Sequence, residues 1–217
     1  DAALLARVRG HDWYHTIDLG NGLKTAGAFD HGPILDRYNL PARLDGLRVL
    51  DVATYDGFWA FEFERRGARE VLALDLEGPK DLDLPPDERA RLTEADRARR
   101  FGAGFAIAKE ALGSRVERVT CNVYDLSPEK FGTFDVVHSG DVLPHLANPV
   151  KALQNIASVC TGYALISDVF FPDLDHQGRR PLMEYRGGRD GPTWWRMGFN
   201  ALEQMVRDAG FARVSLL

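Results

Sequence analysis

Short apolar runs alternate with amphipathic segments along the chain. The apolar runs that predict β-strands occupy residues 47–52, 70–76, 116–122, 134–139, 163–170 and 213–217. The segments with helical spacing occupy residues 57–66, 88–112, 149–159 and 199–209. Strands that alternate with helices predict an α/β fold with a doubly wound, mostly parallel sheet and right-handed crossovers.

The first strand begins only at residue 47. Residues 1–46 are therefore expected to form an N-terminal helical or lid segment, and residues 47–217 to form the sheet domain. The long polar insert at residues 176–191, between the fifth strand and the last helix, is of a length that is often functional.

Composition narrows the class of protein. The 217 residues, 45% hydrophobic and 27% charged, suit one globular domain. A net charge of −5 argues against a stand-alone nucleic-acid binder, and the arginines of residues 89–100 alternate with acids, as on a solvated helix face. The two cysteines are too few for a disulfide framework, no apolar run has membrane-spanning length, and no signal peptide is evident. A cytoplasmic location is expected.

Polar residues follow the predicted strands, at the edge where such sheets bind ligands. Asp51 ends the first strand and Asp75 ends the second, 24 residues later. An acid at the second position is placed to hydrogen-bond the hydroxyls of a ribose. Asp75 is therefore a predicted cofactor residue, although a solvated strand-end acid is the simpler alternative.

The stretch LDVATYDGFW after the first strand resembles a nucleotide-binding turn with few glycines. A pyrophosphate needs glycines for close backbone approach, but Ala53 and Tyr55 occupy the first two glycine positions. Asp51 and Asp56 suit a cationic cofactor better. S-adenosylmethionine carries a sulfonium and an ammonium and no phosphate, so the loop favours that cofactor over NAD.

The stretches LDVATYDGFWAFEFERRGAREVLALDL and NVYDLSPEKFGTFDVVHSGDVLPHLANPVKALQNI resemble the class I S-adenosylmethionine-dependent methyltransferases. More narrowly, the chain is similar to the group related to the bacterial tRNA wobble-uridine (5-carboxymethoxyuridine) methyltransferase. WYHTIDLGNGLKTAG and TWWRMGFNALEQMVRDAGF also resemble that group. The resemblance implies a Rossmann-like methyltransferase sheet. It also implies cofactor contacts from Asp51, Ala53, Tyr55, Gly57, Asp75, Leu76, Asn122, Val123, Tyr124, Ser139 and Gly140. Asp56 joins this predicted set because of its charge.

Departures from the tRNA enzyme's pattern favour a small-molecule substrate. That enzyme has V-L-Y-H after the fourth strand, and its tyrosine helps to hold a carboxylated cofactor. Here Pro144 replaces the tyrosine, so plain S-adenosylmethionine is expected. The chain is also shorter and acidic. Nucleic acid is therefore an unlikely partner, and tRNA modification is retained as the alternative.

Asn122, after the third predicted strand, has two interpretations. Its side chain could hydrogen-bond the adenine of the cofactor, or it could form a local turn.

Methyl transfer to oxygen needs a base that takes a proton, and histidine is suited to it. His145 follows the fourth strand and is the predicted catalytic base, with Asp141 as a second catalytic residue. Asp141 and Asp168 could instead hold Mg²⁺, but ordinary strand-end acids are the stronger alternative, and no metal is predicted. The residues predicted to face the substrate are Trp13, His15, Asp168, Trp194 and Trp195.

These observations together predict a methyltransferase that acts on a small molecule. O-methylation by in-line transfer, in secondary metabolism, is expected. The aromatic residues could equally pack the lid on the sheet. The sequence leaves the oligomeric state open.

Overall fold

A computed structural model describes residues 2–176, 178–189 and 191–216. Within these ranges the strands are β1 (Arg48–Val52), β2 (Glu70–Asp75), β3 (Glu117–Thr120), β4 (Phe134–Gly140), β5 (Cys160–Ser167), β6 (Met183–Tyr185) and β7 (Trp195–Met197). The α-helices of the same ranges are α1 (Ala2–Gly10), α2 (Phe58–Arg65), α3 (Pro86–Arg91), α4 (Glu94–Ala98), α5 (Ala103–Leu112), α6 (Pro128–Phe131), α7 (Pro149–Val159) and α8 (Phe199–Asp208). Short 3₁₀ turns connect several of them.

Strands β1 to β5 form one parallel sheet in the order β3-β2-β1-β4-β5. The chain moves outward from β1 to β3 and then returns to place β4 on the other side of β1. The carboxyl ends of β1 and β4 therefore flank the point where the strand order reverses, which is where such sheets bind ligands. The doubly wound parallel sheet predicted from the sequence is confirmed.

The two faces of the sheet pack against separate hydrophobic clusters, because successive side chains of a strand point to opposite faces. Val49 of β1 belongs to the cluster that contains Phe63 of α2. Leu50 belongs to the opposite cluster, which contains Leu153 and Ile156 of α7. All five side chains are fully buried, so each face of β1 is covered by a helix.

The N-terminal segment also contributes to the first cluster. Val8, Trp13, Ile17 and Leu19 are buried in it, and the Trp13 indole N–H donates to the Val8 carbonyl at 2.8 Å. The packing shows that this segment is anchored to the sheet. That it acts as a lid remains a prediction.

Two predicted elements are wrong, and the fifth strand begins and ends three residues earlier than predicted, at Cys160 and Ser167. The single helix predicted over residues 88–112 is wrong, because the chain forms α3, α4 and α5 there. Thr93 begins α4 with a capping box to Asp96, and Gly102 breaks the path with φ of +92°, a conformation that other residues adopt only with strain. The predicted final strand is also wrong over residues 213–216, which form no strand. Residue 217 lies outside the described residues.

The insert at residues 176–191 contributes β6 to a two-stranded antiparallel ribbon with β7. The polar sequence of the insert did not predict this strand. In the described ranges, no helix has the length and apolar character needed to cross a membrane.

Candidate cofactor and substrate site

A cavity of about 380 Å³ opens at the carboxyl ends of β1, β2 and β4. Its size lies within the usual range for small-molecule sites. Of the predicted site residues, those that line it are His15, Asp51, Ala53, Tyr55, Asp75, Leu76, Asn122, Val123, Gly140, Asp141 and His145. The predicted residues absent from its lining are Trp13, Asp56, Gly57, Tyr124, Ser139, Asp168, Trp194 and Trp195.

The loop after β1 has a left-handed backbone at three alternate positions. The φ angles are +61° at Ala53, +51° at Tyr55 and +95° at Gly57. Glycine adopts such angles freely, whereas alanine and tyrosine do so with strain. The positions at which the sequence lacks glycine thus keep a glycine-like conformation. Strained backbone persists only where surrounding contacts hold it, and it clusters at functional sites.

Asp75 supplies one of the contacts that hold this loop. Its Oδ2 accepts the Tyr55 N–H at 2.8 Å, and its Oδ1 accepts the N–H of Leu76 at 2.7 Å. Burial raises the pKa of the carboxyl, and these two N–H groups and Arg118 oppose the rise. Asp75 therefore links the loop to β2 and still faces the cavity, where a ribose assignment would place it.

The turn after β3 forms the local hydrogen bond that the sequence suggested and also faces the cavity. Asn122 Oδ1 accepts the Tyr124 N–H at 3.0 Å, which is the local turn, and Asn122 and Val123 also line the cavity. Tyr124 itself is held elsewhere, since its hydroxyl donates to Asp83 Oδ2 at 2.7 Å and accepts the Asn148 N–H at 2.9 Å. Tyr124 therefore holds the turn in place through contacts outside the cavity lining.

Asp51 and His138 face each other from adjacent strands at the floor of the cavity. Both are almost fully buried, with exposures of 1% and 2%, and Nδ1 of the imidazole lies 2.7 Å from Asp51 Oδ1. Asp51 Oδ2, His138 Nε2 and the neighbouring Ser139 hydroxyl are buried, and none of them has a hydrogen-bond partner among the described residues. Buried polar groups of this kind are rare unless a ligand or water completes them.

Asp56 fastens the N-terminal segment rather than facing the cavity. Its buried carboxylate accepts the backbone N–H groups of Tyr14 and His15, at 3.0 Å and 2.9 Å, and also bonds His15 Nδ1. His15 and Tyr14 are thereby placed on the cavity wall.

The predicted substrate-facing tryptophans lie around the cavity without lining it. Trp13 is 3% exposed and belongs to the core. The indole N–H of Trp194 donates to the Asp83 carbonyl at 2.7 Å, and that of Trp195 donates to the Leu146 carbonyl at 3.0 Å. These bonds tie the β6–β7 ribbon to segments that do line the cavity.

Asp168 orders the turn that carries His145. Its Oδ2 accepts the N–H groups of Val142 and Leu143, at 3.2 Å and 2.9 Å, and its Oδ1 accepts that of Val169 at 2.9 Å. Burial raises the pKa of this carboxyl to about 7, since the three N–H groups offset only part of the effect and the Asp141 charge adds to it.

His145 is an exposed residue of the cavity wall, and among the described residues its ring has one hydrogen bond, from Nδ1 to the Pro192 carbonyl at 3.0 Å. A carbonyl only accepts, so Nδ1 carries a proton and Nε2 remains available. Asp141 is exposed beside it at the end of β4, with φ of +51°. Over the described residues, no cluster of side chains suited to a metal ion is present.

The structure adds cavity residues that the sequence did not single out. Tyr14, His31 and Tyr38 come from the N-terminal segment, and Trp59 comes from α2. His31 bonds the Tyr38 hydroxyl at 3.1 Å, and burial together with nearby His15 lowers its pKa. Trp59 lies between Tyr38 and His138, with ring centroids 4.7 Å from each. The aromatic and histidine content of residues 11–38 is the sequence signal for the part of this wall that the N-terminal segment contributes.

The sheet order and the strand-end cavity define an α/β fold of the Rossmann-like methyltransferase type. A family model described as "Methyltransferase domain" matches residues 32–216. The chain belongs to this family. This confirms the prediction of an S-adenosylmethionine-dependent methyltransferase, and S-adenosylmethionine is its methyl donor. The narrower tRNA-enzyme resemblance is not established by the match.

Solved structures share the fold. The N-terminal domain of EvdMO1, solved with SAH and D-fucose, is 18% identical, with a TM-score of 0.64 over 98% of this chain and 85% of that one. The 1,6-didemethyltoxoflavin-N1-methyltransferase of Burkholderia thailandensis is 22% identical, with a TM-score of 0.53 over 79% and 63%. An O-methyltransferase family protein of the same organism is 19% identical, with a TM-score of 0.56 over 84% and 51%. No curated protein sequence matches.

The residues of the cavity fit this cofactor. The cavity lining is acidic, because it contains the side chains of Asp51, Asp75, Asp83 and Asp141 and, as a positive charge, that of Arg99. An acidic lining complements a cofactor with sulfonium and ammonium charges. The buried, unpartnered atoms of Asp51 and His138 give the floor hydrogen-bonding capacity that a polar ligand can use.

Proposed function

We propose that the protein transfers a methyl group from S-adenosylmethionine to a hydroxyl of a small molecule, with His145 as the general base. The observation that carries the proposal is the His145 side chain on the cavity wall. Its Nδ1 is fixed by the Pro192 carbonyl at 3.0 Å, which leaves Nε2 to accept a proton. Asp168 supports this geometry by holding the backbone of the turn that carries the histidine.

The bound cofactor supplies a methyl group on a cationic sulfur. In the proposed reaction, His145 Nε2 takes the proton of the acceptor hydroxyl as the oxygen bonds to that methyl carbon. The cofactor would supply the methyl group and keep the electron pair of the broken carbon–sulfur bond on its sulfur, and the imidazole would then release the proton to solvent. The enclosing walls contribute mainly alignment, which is the largest demand of an in-line transfer.

Small-molecule chemistry is supported by the cavity size and by the structural neighbours. Tyr14, Tyr38 and Trp59 provide aromatic surface beside Asp141 and His31, a mixture suited to a ring that bears hydroxyl groups. The EvdMO1 domain was solved with D-fucose, and the toxoflavin enzyme methylates a nitrogen. A hydroxylated secondary metabolite is our proposed acceptor.

His145→Ala tests the base. We expect methyl transfer to a panel of sugars and phenols, followed with labelled cofactor, to fall by about 10²–10⁴ in kcat. The Kd for S-adenosylhomocysteine, measured by calorimetry, should change less than about twofold, because the base contributes to the chemical step. His176→Ala is the matched control, since this histidine is exposed and does not line the cavity. Unchanged kcat in His145→Ala would reject the base.

The RNA-modifying alternative has less support. The arginines of residues 89–100 largely serve local contacts: Arg91 pairs with Glu88, Arg100 with Glu77, and Arg89 bonds the Leu82 carbonyl at 2.6 Å. A basic face for phosphates would need free cations. Tight tRNA binding that weakens steeply with salt would favour the alternative.

A further inference from the structure

We propose that Asp141 binds a positively charged amine of the methyl acceptor, so that the substrate is a hydroxylated amine such as an amino sugar or a phenolic amine. The inference rests on the proposed function and names the chemical class of its acceptor. Asp141 lines the cavity directly after β4, four residues before the proposed base His145. The sequence predicted Asp141 as a second catalytic residue, and we assign its carboxylate a binding role instead.

The Asp141 carboxylate differs from the other three that line the cavity. Those of Asp51, Asp75 and Asp83 all bond groups of the protein, at distances between 2.7 and 2.8 Å. Among the described residues, the Asp141 carboxylate has no hydrogen bond and no ion pair. Its negative charge therefore faces the cavity without a direct partner, and it attracts a cation that enters there.

The backbone presents this carboxylate from a fixed position. Asp141 has φ of +51°, in the left-handed region that aspartate, asparagine and glycine adopt most readily. Its N–H donates to the Ser167 carbonyl of β5 at 2.8 Å. Asp168 holds the next two residues by accepting the N–H groups of Val142 and Leu143. A ligand that binds Asp141 thus meets a turn that is already ordered, which lowers the entropic cost of binding.

Aromatic rings share this part of the cavity with Asp141. Tyr14, His31, Tyr38 and Trp59 line it, and the Trp59 ring centroid lies 4.7 Å from that of Tyr38 and 5.2 Å from that of His31. Burial raises the pKa of the Tyr14 and Tyr38 hydroxyls, and the Asp141 charge adds to the rise. The carboxylate therefore acts on both rings. Aromatic faces attract cations, so the rings and the carboxylate favour the same kind of ligand.

A protonated amine suits this position better than a metal ion or an anion. Mg²⁺ and Ca²⁺ need several oxygen ligands, and the described part of the chain has no cluster of side chains suited to a metal ion. An ammonium needs one carboxylate, to which it donates a charged hydrogen bond, and aromatic faces stabilise it further. A carboxylate or phosphate on the acceptor would be repelled by Asp141.

The turn after β4 limits the distance between the bound amine and the reacting hydroxyl. Asp141 and His145 lie four residues apart, a separation that even an extended chain spans with about 14 Å. The turn is folded more tightly, since the His145 N–H donates to the Val142 carbonyl at 3.0 Å. One ring that carries a hydroxyl and an amine substituent can therefore contact both side chains. The methyl group is expected on the oxygen, because the amine is held at Asp141.

Binding of matched compounds tests the proposal. The probes are tyramine with 4-ethylphenol and glucosamine with glucose, and each pair differs mainly in the charged amine. Calorimetry gives their Kd for protein loaded with S-adenosylhomocysteine. We expect the wild type to bind at least one amine roughly 10- to 100-fold more tightly than its neutral partner, as for a hydrogen bond to a charged group. Asp141→Asn, which suits a φ of +51°, should lose this preference. Asp125→Asn, at an exposed position outside the lining, should keep it.

The outcomes separate this inference from the proposed function. If the wild type prefers no amine, or if the preference persists in Asp141→Asn, the amine contact is rejected. It is also rejected if Asp141→Asn weakens S-adenosylhomocysteine binding as much as amine binding, because the carboxylate then serves the cofactor. Asp141→Gly removes the charge at the same backbone angle and replaces Asp141→Asn if that variant does not fold. Mass spectrometry of the methylated amine tests the proposed function separately: a methyl group on nitrogen, or no transfer, would overturn O-methylation while the measured amine contact stands.

Discussion

Asp75 shows how one side chain can serve both the fold and the site. Its carboxylate fixes the backbone of Tyr55 and Leu76, yet it remains on the cavity wall. Each carboxylate oxygen can accept more than one hydrogen bond, so the contacts to the backbone leave capacity for two ribose hydroxyls. The sequence could predict the acid from its position but could not predict that it also shapes the loop.

Asp75→Asn should weaken S-adenosylhomocysteine binding by about tenfold, because one charged acceptor becomes a donor. Calorimetry would measure the change. Asp125→Asn is the control, since Asp125 is exposed after β3 and does not line the cavity. Equal affinities of wild type and Asp75→Asn would remove Asp75 from the ribose site.

Asp168 predicts a pH dependence of stability. Its folded pKa of about 7 lies above the unfolded value near 3.8, so the folded protein binds the extra proton between these values. Its contribution to the free energy of unfolding is therefore present below about pH 4 and is lost as pH rises towards 7. Relative to Asp168→Asn, the wild type should lose up to roughly 4 kcal/mol across this window. Urea titrations at pH 4.5 and 7.5 would test it, and a constant difference would contradict it.

At the scale of the element, the loop after β1 separates what a sequence pattern shows from what it hides. Its position between a buried strand and a helix was predictable, as was the preference for a phosphate-free cofactor. The left-handed angles of Ala53 and Tyr55 were not, because residue type argues against them. They follow from tertiary contacts, such as the bond from Tyr55 to Asp75, which no local pattern encodes.

Ala53→Gly should raise the free energy of unfolding by about 1 kcal/mol, because glycine adopts a φ of +61° without strain. Chemical denaturation would measure the gain. Ala60→Gly, in the middle of α2, is the opposite control and should lose stability through helix propensity and burial. A loss at position 53 would show that the Ala53 methyl packs favourably.

The same distinction explains the other elements. The central strands β1, β2 and β4 were predictable because they are mostly buried and therefore give clear apolar runs. The division of residues 86–112 into three helices depends on the positive φ of Gly102 and the capping box of Thr93. The ribbon of β6 and β7 has only three residues in each strand and relies on Trp194 and Trp195 for its attachment. Such short segments have little pattern of their own.

At the scale of the whole molecule, Asp56 couples the N-terminal segment to the loop after β1. The segment is predicted to be a lid. The Asp56 carboxylate accepts the N–H groups of Tyr14 and His15 and so places these two residues on the cavity wall. Residues far apart in the chain thus build one wall together. The sequence predicted Asp56 as a cofactor residue. Its contacts with Tyr14 and His15 could not be predicted, because these residues lie 42 and 41 positions away in the chain.

Asp56→Ala should lower the free energy of unfolding by about 3 kcal/mol, because two backbone N–H groups and the His15 ring lose a buried acceptor. Asp12→Ala, at an exposed position of the same segment, should change it by less than about 0.5 kcal/mol. Urea denaturation compares the two. Similar small effects for both variants would show that the segment is held mainly by its apolar packing.

The position of Trp59 gives the molecule an internal optical reporter. Its indole lies on the cavity wall between Tyr38 and His138, while the other three tryptophans lie outside the lining. A charged ligand that enters the cavity would change the electric field around this one ring. Light emitted by Trp59 should therefore shift in wavelength and intensity as the cavity fills, so that occupancy can be followed in real time without a label.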